Sequence, residues 1–159
     1  MESRGPRFWV CLGMVLVLAG CVGTYKVATN ANVATIEFLK GYDKGFGLGA
    51  ASVQFYSISR EKCGTYQPIA TMDMTSGPKA IKPVEANRAI YLEAYAQRYA
   101  STYNADCQNR VSFVPQPGAR YEVVQRAIEV ETCHLEVRSL SGAADPEVAH
   151  LRKEDCPKS

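Results

Sequence analysis

Hydrophobic and polar positions fall into three regimes along the chain. From Phe8 to Leu18 (FWVCLGMVLVL) they do not alternate: the run is apolar throughout, lies behind Arg4 and Arg7, and ends at Ala19 and Gly20. A helix needs about 20 apolar residues to cross a hydrocarbon core. This run is near half that length, so residues 1–20 have the basic, apolar and small-residue regions of a signal peptide rather than a permanent span. From Val22 to Asn32 (VGTYKVATNAN) the chain is small, polar and without period. That composition predicts a flexible tether, residues 21–32, reaching at most roughly 35 Å.

From Val33 the period becomes two. Val33–Leu39 (VATIEFL), the glycine-rich Gly41–Gly49 (GYDKGFGLG) and Ala50–Ser59 (AASVQFYSIS) predict strand, hairpin turn and strand. Gly45-Phe46-Gly47-Leu48-Gly49 is not GxGxxG and opens no helical pattern, so it is read as a turn and not as a phosphate cradle. Pro68, Gly77, Pro78 and Pro83 break up the segment from Thr65 to Pro83, which predicts edge strands and turns. Between Arg88 and Tyr103 two periods compete. Tyr91, Tyr95, Tyr99 and Tyr103 recur at every fourth residue, as on a helix. Ile90, Leu92, Ala94 and Ala96 also alternate with Tyr91, Glu93, Tyr95 and Gln97, as on a strand. The β-like surroundings favour a strand to about Gln97 with a loop after it.

Two further strands, Arg110–Val114 and Ala119–Ala127, flank Pro115-Gln116-Pro117-Gly118 and predict a hairpin, with Pro presetting a turn φ and Gly accepting a positive one. A last strand is expected over Thr132–Leu140. Asp145-Pro146-Glu147 then has the N-cap, first-position proline and acidic first turn of a short helix running to about Lys153. These elements predict an all-β domain over residues 33–159: an antiparallel β-sandwich, Ig-like or transthyretin-like, with a short C-terminal helix.

Composition agrees with one globular domain: of 159 residues, 47% are hydrophobic and 21% charged. Lys plus Arg number 18 against 16 Asp plus Glu, a net charge of +2 without a basic cluster, so nucleic acid is not an expected partner. Six cysteines in a chain this short point to an oxidising compartment.

The position of one cysteine is more specific. Leu18-Ala19-Gly20-Cys21 resembles the lipobox of bacterial lipoproteins. That resemblance implies a diacylglyceryl group on the Cys21 sulfur, cleavage just before it and an N-acyl chain on the new amino terminus. Two or three acyl chains hold a protein stably at a bilayer where one does so only marginally. An Asp after the lipidated cysteine would resemble the inner-membrane retention signal of enteric bacteria. Val22 stands there instead, which implies the periplasmic face of an outer membrane. A secreted protein in which Cys21 is incidental is the alternative. A second resemblance covers a smaller part of the chain: Cys107, Phe113-Val114-Pro115-Gln116-Pro117-Gly118-Ala119-Arg120-Tyr121 and Cys133 are similar to the C…FxPxxGxxY…C pattern of small proteobacterial envelope lipoproteins. It implies a sandwich in the envelope and no activity.

Cleavage would leave four cysteines besides Cys21: Cys63, Cys107, Cys133 and Cys156. Their wide spacing contains no CxxC and no Cys/His pair at finger spacing, which favours disulfides over a metal site. Three pairings are open to four cysteines. Cys107–Cys133 is favoured because the two straddle one hairpin region, leaving Cys63–Cys156 to tie the tail to the body.

Candidate chemistry is sparse. Ser59-Arg60-Glu61-Lys62 matches SxxK, but neither SDN nor KTG follows. His134 reads as a strand residue, His150 as an exposed terminal-helix residue, and Glu129 and Glu131 as a solvated turn. No catalytic residue, metal or non-covalent cofactor is therefore expected. The functional expectation is a lipid-anchored, non-catalytic binding or assembly module with an envelope protein partner, docking through an edge strand or the face carrying Tyr91, Tyr95 and Tyr99. A small envelope enzyme, or a protein that stacks peptidoglycan or another glycan on those tyrosines, is the rival.

Overall fold

A period of two places alternate side chains on opposite faces of a strand, and the computed structural model, which describes residues 23–41, 51–73, 75–99, 104–127, 132–142 and 144–156, shows that period in two sheets. The strands are β1 (Val33–Leu39), β2 (Ala51–Ser59), β3 (Gln67–Met72), β4 (Lys79–Glu85), β5 (Ile90–Tyr99), β6 (Asn104–Phe113), β7 (Arg120–Ala127), β8 (Cys133–Ser139) and β9 (Ala149–Leu151). One sheet runs β4-β1-β7-β8 and the other β3-β2-β5-β6-β9. Within them β1 and β7 pair in parallel and the other pairs are antiparallel. The inner faces supply the core, where Ile36, Phe38, Ile58, Leu92 and Val123 are 0% exposed. Burying a large apolar side chain this completely contributes about 1.5–3 kcal/mol.

β5 resolves the competition between periods in favour of the strand. Ile90, Leu92, Ala94 and Ala96 face the core, Tyr91, Glu93, Tyr95 and Gln97 face outward, and pairing continues to Tyr99.

Two connections expected as hairpins pass between the sheets instead. β1 takes β4 and β7 as its neighbours while β2 takes β3 and β5, so the chain after Gly41 joins one sheet to the other; the residues Gly45–Gly49 lie outside the described set. In the same way, β6 is flanked by β5 and β9, and β7 by β1 and β8, so Pro115–Gly118 bridges the sheets. The expected positive φ is present, +72° at Gly118. The Gln116 amide donates to the Tyr121 hydroxyl at 2.9 Å, and Phe113 meets Tyr121 edge-on with centroids 5.2 Å apart. The FxPxxGxxY stretch is thus an inter-sheet corner clasped by its own tyrosine.

The expected C-terminal helix is replaced by β9 and a single 3-10 turn, Lys153–Asp155. Asp145, read as a helix cap, accepts the Ser139 amide at 2.8 Å and closes the end of β8. The chain beyond it pairs with the otherwise open edge of β6, with Val111 opposite His150. Ladder bonds to a waiting edge satisfy more backbone here than a short isolated helix does.

The expected tether also differs. Cys21 and Val22 lie outside the described residues, but Tyr25 is only 8% exposed and belongs to the core cluster. Its amide donates to Pro68 O at 3.0 Å, and its hydroxyl accepts the Glu85 amide at 3.2 Å. The segment is held to the domain from Tyr25 onward. Its polar composition hid this, because one aromatic ring suffices as the anchor.

The two sheets are also joined through polar atoms. Tyr56 packs on Phe38 with centroids 4.9 Å apart, donates its hydroxyl to Leu39 O at 2.9 Å and accepts the Gln125 amide at 3.2 Å. Buried Gln54 accepts the Gly41 amide at 3.1 Å and donates to Gln125 O at 3.2 Å. A Cβ at Gly41 would lie 1.9 Å from Gln125 O, so the seam requires glycine there.

Both favoured disulfides are formed: Cys107–Cys133 links β6 to β8 across the sandwich, and Cys63–Cys156 links the turn after β2 to the tail. Their Cα separations are 6.2 and 5.2 Å, within the range for an S–S bond.

Two stability predictions follow from this seam and these bridges. Tyr56→Phe leaves Leu39 O and the Gln125 amide without their partner, and urea denaturation is expected to show a loss of about 1–3 kcal/mol, since unpaired buried backbone groups bear that penalty. Loop-closure entropy assigns roughly 4.6 kcal/mol to the Cys63–Cys156 bridge and about 3.5 kcal/mol to Cys107–Cys133. The Cys63→Ser/Cys156→Ser double variant is therefore expected to lose the more stability of the two bridge deletions in the same assay.

Candidate functional site: the outer face of the five-stranded sheet

The two outer faces differ in chemistry because different residue types occupy their outward positions. On the four-stranded sheet, two carboxylates are each flanked by two cations. Glu37, 4% exposed, lies between Arg120 and Lys79, whose Nζ is 2.7 Å away. Hydrogen bonds from Lys79 and then Arg120 hold the Glu37 carboxyl below its usual range. Glu136 accepts Arg138 at 2.9 Å and Arg126 at 3.5 Å. This face carries two clusters of ion pairs beside the exposed aliphatic side chains of Val33 and Ile81.

The five-stranded sheet presents aromatic rings beside hydrogen-bonding groups. Register places Phe55 of β2 opposite Tyr95 of β5, and Tyr95 opposite Gln108 of β6. The Phe55 and Tyr95 rings are stacked at 6.3 Å with 24° between their planes, and Phe55 is 38% exposed. Glu93, two residues before Tyr95 on the same face, accepts Arg110 Nε at 2.6 Å and Gln108 Nε2 at 2.8 Å, both on Oε2. The Tyr95 hydroxyl donates to Asp106 at 3.5 Å, a long bond at the margin of contact. The Arg110 guanidinium lies 5.4 Å from the centroid of the Tyr66 ring. Burial pushes the Tyr66 phenol up, with Arg110 opposing, and its buried hydroxyl has no hydrogen-bond partner among the described residues.

Tyr91 and Tyr95, expected as a candidate partner or glycan surface, therefore share one outward face and are half-buried. Tyr99 ends the strand, its backbone opposite Ala51 and Asn104, and Tyr103 lies outside the described residues. Phe55, Tyr66, Gln108 and Arg110 complete the face and were not singled out by the sequence. They come from β2, β6 and the turn before β3, and only the fold brings them together. The sequence alternation groups Phe55 with Val53 as apolar positions, and the structure turns Phe55 outward and buries Gln54, Tyr56 and Ile58 instead.

Several other candidates have structural employment. The Ser59 hydroxyl donates to Glu61 O at 3.0 Å and accepts the Glu61 amide at 3.2 Å, so in the SxxK match it caps a turn. Cys63, Cys107, Cys133 and Cys156 are bonded in pairs. His134 and His150, far apart in sequence, are brought to a ring separation of 5.7 Å between β8 and β9. Glu129 and Glu131 lie outside the described residues. Among the described residues no three His, Cys, Asp or Glu side chains gather as a metal-ligand set, and no helix is long and apolar enough to cross a membrane.

A cavity of about 460 Å³ opens beside the Phe113–Tyr121 corner and is bounded on its far side by Ala144, Pro146 and Glu147. A shallower concavity of about 740 Å³ lies where the N-terminal segment meets Arg60 and Arg88.

The outer aromatic face can do two things chemically. Stacked rings offer flat apolar area at little conformational cost, and the Glu93–Arg110–Gln108 row holds hydrogen-bonding groups in fixed positions beside it. That combination has the chemistry to receive a flat apolar surface with a polar rim. No protein-family model matches the chain, and no curated protein matches it.

Proposed function

We propose that the chain is a lipid-anchored lipoprotein of the bacterial envelope, on the periplasmic side of the outer membrane, that binds an envelope protein partner non-catalytically through the outer face of its five-stranded sheet. The observation that carries the reading is the stacked pair of exposed Phe55 and half-buried Tyr95, flanked by Glu93 with its two donors. Aromatic residues and arginine at the centre of a patch, with polar groups around them, are the make-up of energetically dominant interface residues. The lipobox at Leu18–Cys21 supports the anchor, and the two formed disulfides accord with an oxidising compartment.

Edge-strand docking is less favoured at three of the four sheet edges, the seven-residue β8 being the exception. Pro68 sits in edge strand β3 and Pro83 in edge strand β4, and β9 is only 3 residues long. Prolines and short strands blunt an edge against pairing. A glycan reading is favoured by the stacking pair together with the adjoining hydrogen-bonding row, since a sugar ring has an apolar face and a hydroxyl rim.

One experiment on the full lipoprotein in its own envelope separates these parts. Cys21→Ser is expected to abolish incorporation of labelled palmitate and to release the protein from the outer-membrane fraction; continued membrane association contradicts the anchor. Phe55→Ala with Tyr95→Ala is expected to keep the chain folded and membrane-bound while reducing capture of its cross-linked protein partner at least about tenfold, the loss of a central aromatic hot spot. If the double variant captures the same partner undiminished, the proposed face is wrong. If it loses muropeptide binding and no protein partner is found, the glycan reading replaces the protein one.

A further inference from the structure

The N-terminal segment is fastened to one end of the sandwich by a set of contacts that fix how far the domain stands from its anchor. Beyond the two bonds of Tyr25, the Ala28 amide donates to Glu85 Oε1 at 3.3 Å, and Ala86 donates its amide to Asn32 O at 2.8 Å. Arg60 crosses over this segment. Its guanidinium lies 4.8 Å from the Tyr25 ring centroid, pairs with Glu85 at 2.7 Å and donates to Lys26 O at 2.5 Å. Arg88 pairs with the same Glu85 at 3.3 Å and donates to Arg60 O at 3.3 Å. Glu85, 3% exposed, thus has its negative charge shared by two guanidiniums that remain partly open to solvent.

Four residue steps separate Cys21 from Tyr25, and fully extended they span about 14 Å. A tether free to Asn32 would allow roughly 35 Å. The charged groups at the fastened end are Lys26, Arg60, Lys62 and Arg88 against Glu61 and Glu85, and the tail bridged to Cys63 adds Arg152 and Lys153 against Glu154 and Asp155, so an excess of positive charge remains. The concavity of about 740 Å³ is in the same place, walled by Arg60, Arg88 and Glu85 and floored by residues 28–32. A leash of this length keeps that end within about two Debye lengths of the headgroup layer.

We propose that this end is a membrane-docking site, in which phosphate-bearing headgroups of the membrane that holds the Cys21 lipids lodge against Arg60, Arg88 and Lys26. The inference rests on the lipoprotein reading and adds an orientation to it. The fastened end contains the end of β2 and the start of β5 and β3. The strands therefore rise away from the membrane, and the Tyr91–Tyr95 face stands side-on to it. The chemistry at the docking end is that of anionic phosphate, to which guanidinium donors bind with directional hydrogen bonds and lysine as a point charge.

The test uses the lipidated full-length protein, purified from membranes and reconstituted in phosphatidylcholine vesicles with and without phosphatidylglycerol. The chain's single tryptophan is Trp9, in the leader, so Thr29→Trp and, on the opposite end, Arg126→Trp each give one reporter. Headgroup spin-labelled lipid is expected to quench the Thr29→Trp emission strongly and the Arg126→Trp emission weakly, the contrast increasing with phosphatidylglycerol. Adding Arg88→Gln or, at an exposed residue that meets Arg60 through its backbone carbonyl, Lys26→Gln is expected to lower the first signal several-fold, as is high salt. Equal quenching at the two positions in a protein whose mass confirms lipidation overturns the docking site alone. A chain whose mass shows an unmodified Cys21 overturns the anchor and the docking site together.

Discussion

The meeting of Tyr56 with Phe38, Leu39 and Gln125 is the contact on which the rest of the molecule depends. Two sheets with apolar inner faces pack on burial alone, but burial is non-directional and tolerates slippage. The Tyr56 hydroxyl removes that freedom, because it is bonded at once to the carbonyl of Leu39 and the amide of Gln125, both in the opposite sheet. Gln54 repeats the lock one turn of the pleat away, through the amide of Gly41. With these bonds made, the register of β2 against β1 and β7 is set, and so is the outward direction of Phe55. The aromatic face is a consequence of the polar seam beneath it.

Much of this was legible in the chain. Alternation of Ile90, Leu92, Ala94 and Ala96 with Tyr91, Glu93, Tyr95 and Gln97 identified both faces of β5, and cysteine spacing favoured the pairs that form. Connectivity was not legible, and the reason is physical. A strand that turns back within its own sheet and one that crosses to the other sheet bury the same alternate residues, so Gly41–Gly49 and Pro115–Gly118 look alike as hairpin turns and as corners. The Asp145-Pro146-Glu147 signal failed for a different reason: an aspartate that can cap a helix can equally cap the end of a strand, and the open edge of β6 decided between them. Tyr25 was hidden in a polar run because its burial depends on Pro68, Glu85 and Arg60, all distant in sequence.

The candidate site followed the same rule. Tyr91 and Tyr95 were visible because they lie on one strand, whereas Phe55, Gln108 and Arg110 join them only through pairing across β2, β5 and β6. The charged face of the other sheet is satisfied internally by Glu37 and Glu136 and their cations. The molecule thus presents one face of charged clusters and one that sets aromatic rings beside a hydrogen-bonded row.

Site-specific photo-crosslinking in intact cells tests this division most directly, with the photoreactive residue placed at Tyr95 on the aromatic face or at Arg138 on the ion-paired face. The account predicts one dominant adduct from the Tyr95 position, lost when Phe55 is also changed to alanine, and only background from the Arg138 position. A partner captured from Arg138 and not from Tyr95 would contradict it.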